Sequence, residues 1–352
     1  MFVDSKETGP EQFRSITERQ RSDYEHSKQL SERRAERVAS GACPQFTEFL
    51  AGLQVAIPEI PDDARPHQHK KLTALYNGIA ETDLAEIQDG TGYGVISPTG
   101  SGKTVMISMA TKAFVDAGLK VLVLSPRKKI TKQIIGDEHR GFNAFAPELS
   151  VGEYSGDRKQ TTEQVTIMMY QALRSAVLNG DLEAMDPDVI ICDEMHLPVQ
   201  GYWGEMVRKL QAGRLSIGFT ATPGNPDGLN TTYTFPRTVA STSLREGIER
   251  GMLSDLEVYT YKGSKPVRAR KVRGEYDPEE LAQRFLNAEE NYLTAKIVAE
   301  EVATGNSGLV KCSEGMDRMH AKIVHAILSQ TDVPGQDRKL RVECAVEFQG
   351  EA

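Results

Sequence analysis

The sequence predicts an α/β fold: a doubly wound parallel sheet with its working edge at the strand C-termini. Three observations carry this. Unbroken apolar runs, such as Val121-Leu122-Val123-Leu124, are those of strands buried on both faces. Such runs alternate with helix-like stretches over roughly 170 residues. Each run closes in a polar or charged cluster, at the strand end where ligands bind in open α/β sheets.

The chain has 352 residues, which at about 100–200 residues per domain predicts two domains. A hydrophobic content of 39% and a charged content of 26% are those of a globular protein. The formal charge of −8 argues against blanket nucleic-acid binding and leaves room for a local basic groove. Cys43, Cys192, Cys312 and Cys344 are far apart and form no CxxC pair, which predicts a reducing compartment and no structural zinc. No run reaches the length of a membrane helix, and the charged N-terminus lacks the apolar core of a secretory signal. A cytoplasmic protein with no membrane partner is expected.

The first strand, Tyr93 to Ile96, leads into Ser97-Pro98-Thr99-Gly100-Ser101-Gly102-Lys103-Thr104, and a helix-like run from Val105 to Phe114 leads out. Strand, glycine-rich turn and helix N-terminus form a phosphate-binding loop. Glycines let the backbone approach a phosphate closely. Lys103 reaches the β- and γ-phosphates, and the Thr104 hydroxyl binds Mg²⁺. Ser97 stands where the strict pattern has glycine.

Before the loop, residues 1–42 read as a charged arm, with eight Lys+Arg and eight Asp+Glu between Met1 and Ser40. Its apolar residues show no 3.6 repeat, so a solvated, partly helical or disordered extension is expected, with a partner- or nucleic-acid-binding arm as the alternative. An apolar patch around Phe46, Phe49, Leu50 and Leu53 precedes a helix opening at Arg65-Pro66-His67-Gln68. Gln68 has the donor and acceptor needed to read adenine. His67 and His69, without further ligands nearby, read as solvent-facing.

After the loop, the strand ending at Ser125 closes in Pro126-Arg127-Lys128-Lys129. Arg127 reads either as a backbone-phosphate contact or as solvated charge at a helix start. The strand Val165–Met169 closes in Tyr170-Gln171-Ala172-Leu173. The strand Val189–Cys192 closes in Asp193-Glu194-Met195-His196. A strand-end Asp can hold Mg²⁺, and the following Glu can take a proton from water. The strand Leu215–Phe219 closes in Thr220-Ala221-Thr222, hydroxyls placed to relay the state of a bound triphosphate.

Farther on come a helix over 243–252, a strand over 256–261, and six positive charges between Lys262 and Arg273. That basic stretch reads either as a nucleic-acid groove or as a solvated linker. Helical sequence over 278–304, a strand over 308–312, a helix over 316–328 and a strand over 341–348 follow. The expected domains are therefore the arm over 1–42, a first α/β domain over 43–260, a basic linker over 261–280, and the start of a second domain over 281–352.

As an ordered set over about residues 65–223, these motifs resemble those of superfamily 2 helicases and translocases of the DExH (DEAD/DEAH box) type. The flavour is that of the group shared with type III restriction subunits and phage helicases. The resemblance implies a RecA-like P-loop NTPase fold followed by an incomplete second RecA-like domain. It makes Gln68 the adenine-reading glutamine and Pro98 to Thr104 the phosphate loop. Arg127, Tyr170 and Gln171 become nucleic-acid contacts, and Asp193-Glu194-Met195-His196 becomes motif II, with Met195 in place of the commoner Ala. Lys103, Asp193, Glu194 and His196 are the implied catalytic set, Thr104 and Asp193 the metal ligands, and Thr220 and Thr222 the coupling residues of motif III. The implied activity is hydrolysis of ATP with Mg²⁺, coupled to movement on nucleic acid, with DNA favoured over RNA. Motifs V and VI, the latter the source of the arginine finger, have no counterpart after Leu328. An ATP-binding N-terminal half with low hydrolysis of its own is thus implied, its missing motifs supplied by another chain or domain. The alternatives are a nucleic-acid-binding fragment that uses ATP as a conformational ligand, and a P-loop kinase, which the motif II and III pair disfavours.

Overall fold

A computed structural model describes residues 17–136, 141–197, 202–224, 230–255, 270–272, 275–306, 310, 312 and 319–342. The chain divides into two compact units, Met1–Leu256 and Glu257–Ala352.

The first unit opens with helices α1 (Glu18–Ala39), α2 (Pro44–Val55), α3 (Pro66–Ala80) and α4 (Leu84–Asp89). Strand β1 (Gly92–Ile96) and helix α5 (Lys103–Asp116) flank the glycine-rich turn. Then come β2 (Val121–Ser125), α6 (Lys128–Ile135), α7 (Gly141–Phe145), β3 (Val151–Tyr154), β4 (Val165–Met169), α8 (Tyr170–Leu178) and α9 (Asp181–Met185). β5 (Val189–Asp193), α10 (Tyr202–Lys209), β6 (Leu215–Thr220), β7 (Arg237–Ser241) and α11 (Leu244–Glu249) complete it.

The seven strands form one sheet in the order β3-β4-β2-β5-β6-β1-β7, every pairing parallel. This is the doubly wound parallel α/β arrangement that the apolar runs predict, and it fits the RecA-like fold that the resemblance implies. β1, β2, β5 and β6 are buried along their whole length. One apolar layer joins α3 and α5 to the sheet through Tyr76, Phe114, Ile107 and Val123, and a second packs α8 and α10 on the opposite face through Leu173, Met206 and Ile190.

The apolar runs do not predict β3 and β7. They are the two edges of the sheet, and their alternately or partly exposed residues leave no apolar run to read.

The arm also differs from expectation. Residues 18–39 form a helix with a buried face of Asp23, Tyr24, Ser27, Leu30, Ser31, Arg34 and Val38. The missing apolar repeat is explained by what this face binds, which is mostly polar. The Asp23 carboxylate accepts from Arg174 Nε at 2.8 Å and from the Tyr202 hydroxyl at 2.7 Å. Ser31 Oγ donates to the Ala212 carbonyl at 2.8 Å. Arg34 pairs with Asp186 at 2.8 Å and with Asp188. Gly213, at φ 70°, lets α1 approach so closely that a Cβ there would sit 2.7 Å from Ala35 N.

In the second unit a short antiparallel ladder, β8 (Lys271–Val272) with β9 (Glu275–Tyr276), precedes α12 (Pro278–Phe285), α13 (Ala288–Ala303) and α14 (Met319–Gln330). The single helical stretch expected over 278–304 is split where Asn287 caps α13. Ala295, Ala299, Val324, Leu328, Val333 and Leu340 form its core. The strand expected over 256–261, most of the basic stretch that follows it, residues 308, 309 and 311 of the strand expected over 308–312 and all but the first two residues of that over 341–348 lie outside the described residues. Among the described residues no helix is long and apolar enough to cross a membrane.

Candidate nucleotide site

Sheet register brings three strand ends into a row. Asp193 of β5 pairs with Phe219 of β6, and the next residue, Thr220, pairs with Ile96 of β1. The acidic motif, the threonine motif and the phosphate loop therefore stand side by side although they are distant in sequence. Ser97 N donates to the Thr220 carbonyl at 2.8 Å, which extends the β1–β6 ladder into the loop.

The loop is held from inside. Ser97 and Ser101 are buried, and their hydroxyls lie 2.6 Å apart. Ser101 Oγ donates to the Pro98 carbonyl at 2.6 Å, which leaves the Ser97 hydroxyl to donate to Ser101. Ser97 thus makes a bond that glycine could not. Gly100 and Gly102 have φ of 86° and 82°, a region that side chains rarely enter. Pro98 is buried and Thr99 exposed, and Thr104 lies in the first turn of α5.

The loop is also held from outside. His67 Nε2 lies 2.8 Å from the Ser101 carbonyl oxygen, so this histidine, expected to face solvent, braces the loop. Gln68 is buried; its Nε2 donates to the Ser101 and Gly102 carbonyls at 3.2 and 3.4 Å, and its Oε1 accepts from Arg65 N at 2.9 Å. Both ends of the amide expected to read adenine are engaged with the chain itself. A Cβ at Gly102 would collide with Gln68 Nε2, so the brace and the glycine require one another.

Across from the loop, Lys103 Nζ lies 4.0 Å from Glu194 Oε1 and 3.5 Å from the Ser97 carbonyl. Asp193 is 6% exposed, and burial, aided by the Glu194 charge, pushes its carboxyl up to about 6. Its Oδ1 accepts from Glu194 N at 3.0 Å. Glu194 itself has φ 50°, a left-handed conformation unusual for a residue with a side chain. His196 Nδ1 lies 2.7 Å from Thr220 Oγ1 and 3.4 Å from Glu194 Oε2. Burial holds the His196 imidazole below its usual range, which favours the neutral ring. A proton on Nδ1 suits both neighbours, because Thr220 Oγ1 can then give its own hydrogen to the Thr222 carbonyl, 3.1 Å away.

Met195 fills the space beneath this row, against Gly94 of β1 and Gly218 of β6. The Tyr170 side chain, expected on nucleic acid, is instead 3% exposed, and its hydroxyl donates to the Asp193 carbonyl at 2.8 Å. The tyrosine follows a strand that ends beside motif II's neighbour, so it turns inward as a prop. Arg127, the N-cap of α6, and Gln171 are exposed.

Mg²⁺ is tested by its donors. The Thr104 hydroxyl and Asp193 carboxylate are the hard oxygen ligands this ion takes, and the buried Asp193 lacks a full counter-charge. Among the described residues no cluster of three or more His, Cys, Asp or Glu could hold a metal alone.

A parallel sheet with a phosphate loop after β1 and an acidic pair after β5 defines a P-loop nucleoside triphosphatase fold. Residues 62–225 match the family described as type III restriction enzyme, res subunit. Similar solved structures include the type ISP restriction-modification enzyme LlaGI, a nuclease-deletion mutant in complex with a DNA substrate mimic. It is 17% identical over 53% of this chain and 20% of that one, with a TM-score of 0.42. The Hef helicase domain of Pyrococcus furiosus is 21% identical over 74% of this chain and 52% of that one, at 0.40. The UvsW helicase of bacteriophage T4 is 13% identical over 56% and 66%, at 0.37. The chain thus spans a fifth of LlaGI and about half of the Hef chain.

Proposed function

We propose that the first unit binds ATP with Mg²⁺ on the 97–104 loop and hydrolyses it to drive movement along nucleic acid, DNA rather than RNA by its kinship with restriction subunits. The observation that carries this reading is the row formed by Lys103, Glu194, His196 and Thr220, linked by separations of 4.0, 3.4 and 2.7 Å. Lys103 neutralises the β- and γ-phosphates. Thr104 and Asp193 hold Mg²⁺, which when bound spreads the charge that develops on the transferred phosphoryl group. Glu194 orients the attacking water and takes its proton. His196 ties the base to Thr220, and Thr220 with Thr222 passes the nucleotide state to the surface that meets the strand. Arg127 and Gln171, exposed after β2 and β4, supply contacts to the nucleic-acid backbone.

The test is single-turnover hydrolysis and nucleotide binding by the full chain, with and without duplex DNA. Glu194→Gln is expected to keep nucleotide affinity within about twofold and to lower turnover by at least about 10², the usual weight of a general base. Turnover unchanged in Glu194→Gln would remove Glu194 from its role, and a wild-type chain that binds no nucleotide would overturn the whole reading.

A further inference from the structure

Lys71 lies on the buried side of α3, one turn beyond Gln68, and is 4% exposed. Its Nζ donates to the Ile96 carbonyl and to Thr242 Oγ1, each at 2.8 Å. Ile96 ends β1, and the residue after it opens the phosphate loop. Thr242 follows β7, and its own N–H donates to the same Ile96 carbonyl at 3.1 Å. The ammonium therefore fastens the ends of β1 and β7 at the root of the loop.

Both of its partners are neutral. Of the charges around it, Glu246 of α11 favours the cation, while Arg250, Lys103 and Lys70 oppose it. Glu246 is itself paired with Arg250. A buried charge without a counter-ion either loses its proton or acquires a partner. Burial, more than any neighbour, lowers the Lys71 ammonium to about 8, well under its ordinary value. The loop built to receive an anion opens at Ser97, one residue beyond the Ile96 carbonyl that Lys71 holds.

We propose that Lys71 is a positioning residue of the nucleotide site: a buried cation at the root of the phosphate loop whose counter-ion is the bound polyphosphate, so that nucleotide binding at mildly alkaline pH takes up a proton. The inference rests on nucleotide binding at the 97–104 loop. The proton passes from buffer to the neutral Lys71 amine as the polyphosphate arrives, with no other bond made or broken. By linkage, affinity is flat below about pH 7.5 and falls by up to about thirtyfold toward pH 9.5, as the unbound protein loses a charge that the complex retains.

The experiment is calorimetric titration of the full chain with Mg²⁺ and adenosine 5′-(γ-thio)triphosphate at pH 7.0 and 9.0, in buffers of differing ionisation enthalpy. Wild type is expected to take up more than half a proton at pH 9.0 and little at pH 7.0. Lys71→Met should show no such uptake, a pH-independent affinity, and binding about tenfold weaker at pH 7.0, with no loss in Tm because a buried cation has been replaced by an apolar chain of similar length. Lys71→Arg should restore affinity at both pH values without proton uptake, since its guanidinium stays charged. Equal affinity and equal proton uptake in wild type and Lys71→Met would overturn the inference while leaving the nucleotide site in place. A fall in Tm with an unchanged proton count would reduce Lys71 to a structural tie and overturn it too. Absence of nucleotide binding by wild type at both pH values would instead strike the reading on which it rests.

Discussion

Met195 and Gly218 occupy one another's space. A Cβ placed on Gly218 would fall 2.8 Å from the Met195 Cβ and closer still to its sulfur. Gly94, on the neighbouring strand, would bring its own Cβ to 3.2 Å from Met195 Cε. The long side chain inside motif II is thus matched by two glycines in the strands it overlies. Gly218→Ala is expected to force Met195 aside and to destabilise the protein by about 1–3 kcal/mol, the usual range for overpacking. Because Met195 sits between Glu194 and His196, hydrolysis should fall as well. Met195→Ala in the same chain should recover part of both losses. A double-mutant cycle by urea denaturation should give a coupling above about 0.5 kcal/mol, and additive effects would show that the two positions do not meet.

Gln68 and the loop carbonyls make a second prediction. Its Nε2 donates to Ser101 and Gly102, so Gln68→Glu would aim a carboxylate at two carbonyl oxygens. If the amide braces the loop, this change should weaken ATP, GTP and inorganic tripolyphosphate by similar factors, of about tenfold or more for loss of a bond that becomes repulsive. An adenine reader would lose affinity for ATP alone. Competition binding with the three ligands separates these outcomes.

The parts of the site that were legible in the sequence are those whose chemistry needs fixed residue types at fixed spacing. The loop from Ser97 to Thr104 and the Asp193 to His196 turn follow buried strands, and buried parallel strands announce themselves as apolar runs. What closes the site from outside was hidden because it acts across the chain. His67 reads as a surface residue of a helix, and Lys71 carries no signal of its own, until the fold sets that helix against the loop. Tyr170 shows the converse: a residue type suited to nucleic acid is turned inward by the Asp193 carbonyl. The polar face of α1 left no periodic signal because its partners, Arg174, Tyr202 and Asp186, lie some 150 to 180 residues away. Edge strands β3 and β7 were silent for the same physical reason that makes them edges, their partial exposure.

Asp23 anchors α1 to α8 and α10 at once, through a two-point contact with Arg174 and a bond from Tyr202. Burial raises the Asp23 carboxyl, and the contacts from Arg174 and Tyr202 outweigh it, so the group titrates below its ordinary value. A carboxylate with a depressed folded value contributes stability that is present above its unfolded value and lost as pH falls through the folded one. Asp23→Ala is expected to cost about 3–5 kcal/mol at pH 7, because it leaves Arg174 without its partner. The gap between wild type and Asp23→Asn should shrink as pH is lowered from 6 toward 3. Urea denaturation across that range measures it, and a gap independent of pH would show that the ionised carboxylate contributes nothing.

Asp193 makes the opposite wager. Its carboxyl is raised to about 6, so between about 4 and 6 the folded protein holds a proton that the unfolded chain has released. Stability without nucleotide therefore declines as pH rises through that window and stays lowered above it. Removing the charge should reverse this. Asp193→Asn is expected to stabilise the nucleotide-free protein at pH 7 by about 2–3 kcal/mol, the size that a shift of two units implies. At pH 4 it should change little, since the wild-type group is then protonated as well. The same substitution should abolish the gain in Tm that Mg²⁺ with ADP gives the wild type, because the carboxylate that holds the ion is gone. Calorimetric melting at the two pH values, with and without Mg²⁺ and ADP, reads both effects. A nucleotide-free Asp193→Asn protein that melts below wild type at pH 7 would mean that the buried charge is already compensated by the chain, and that Asp193 does not wait for a metal.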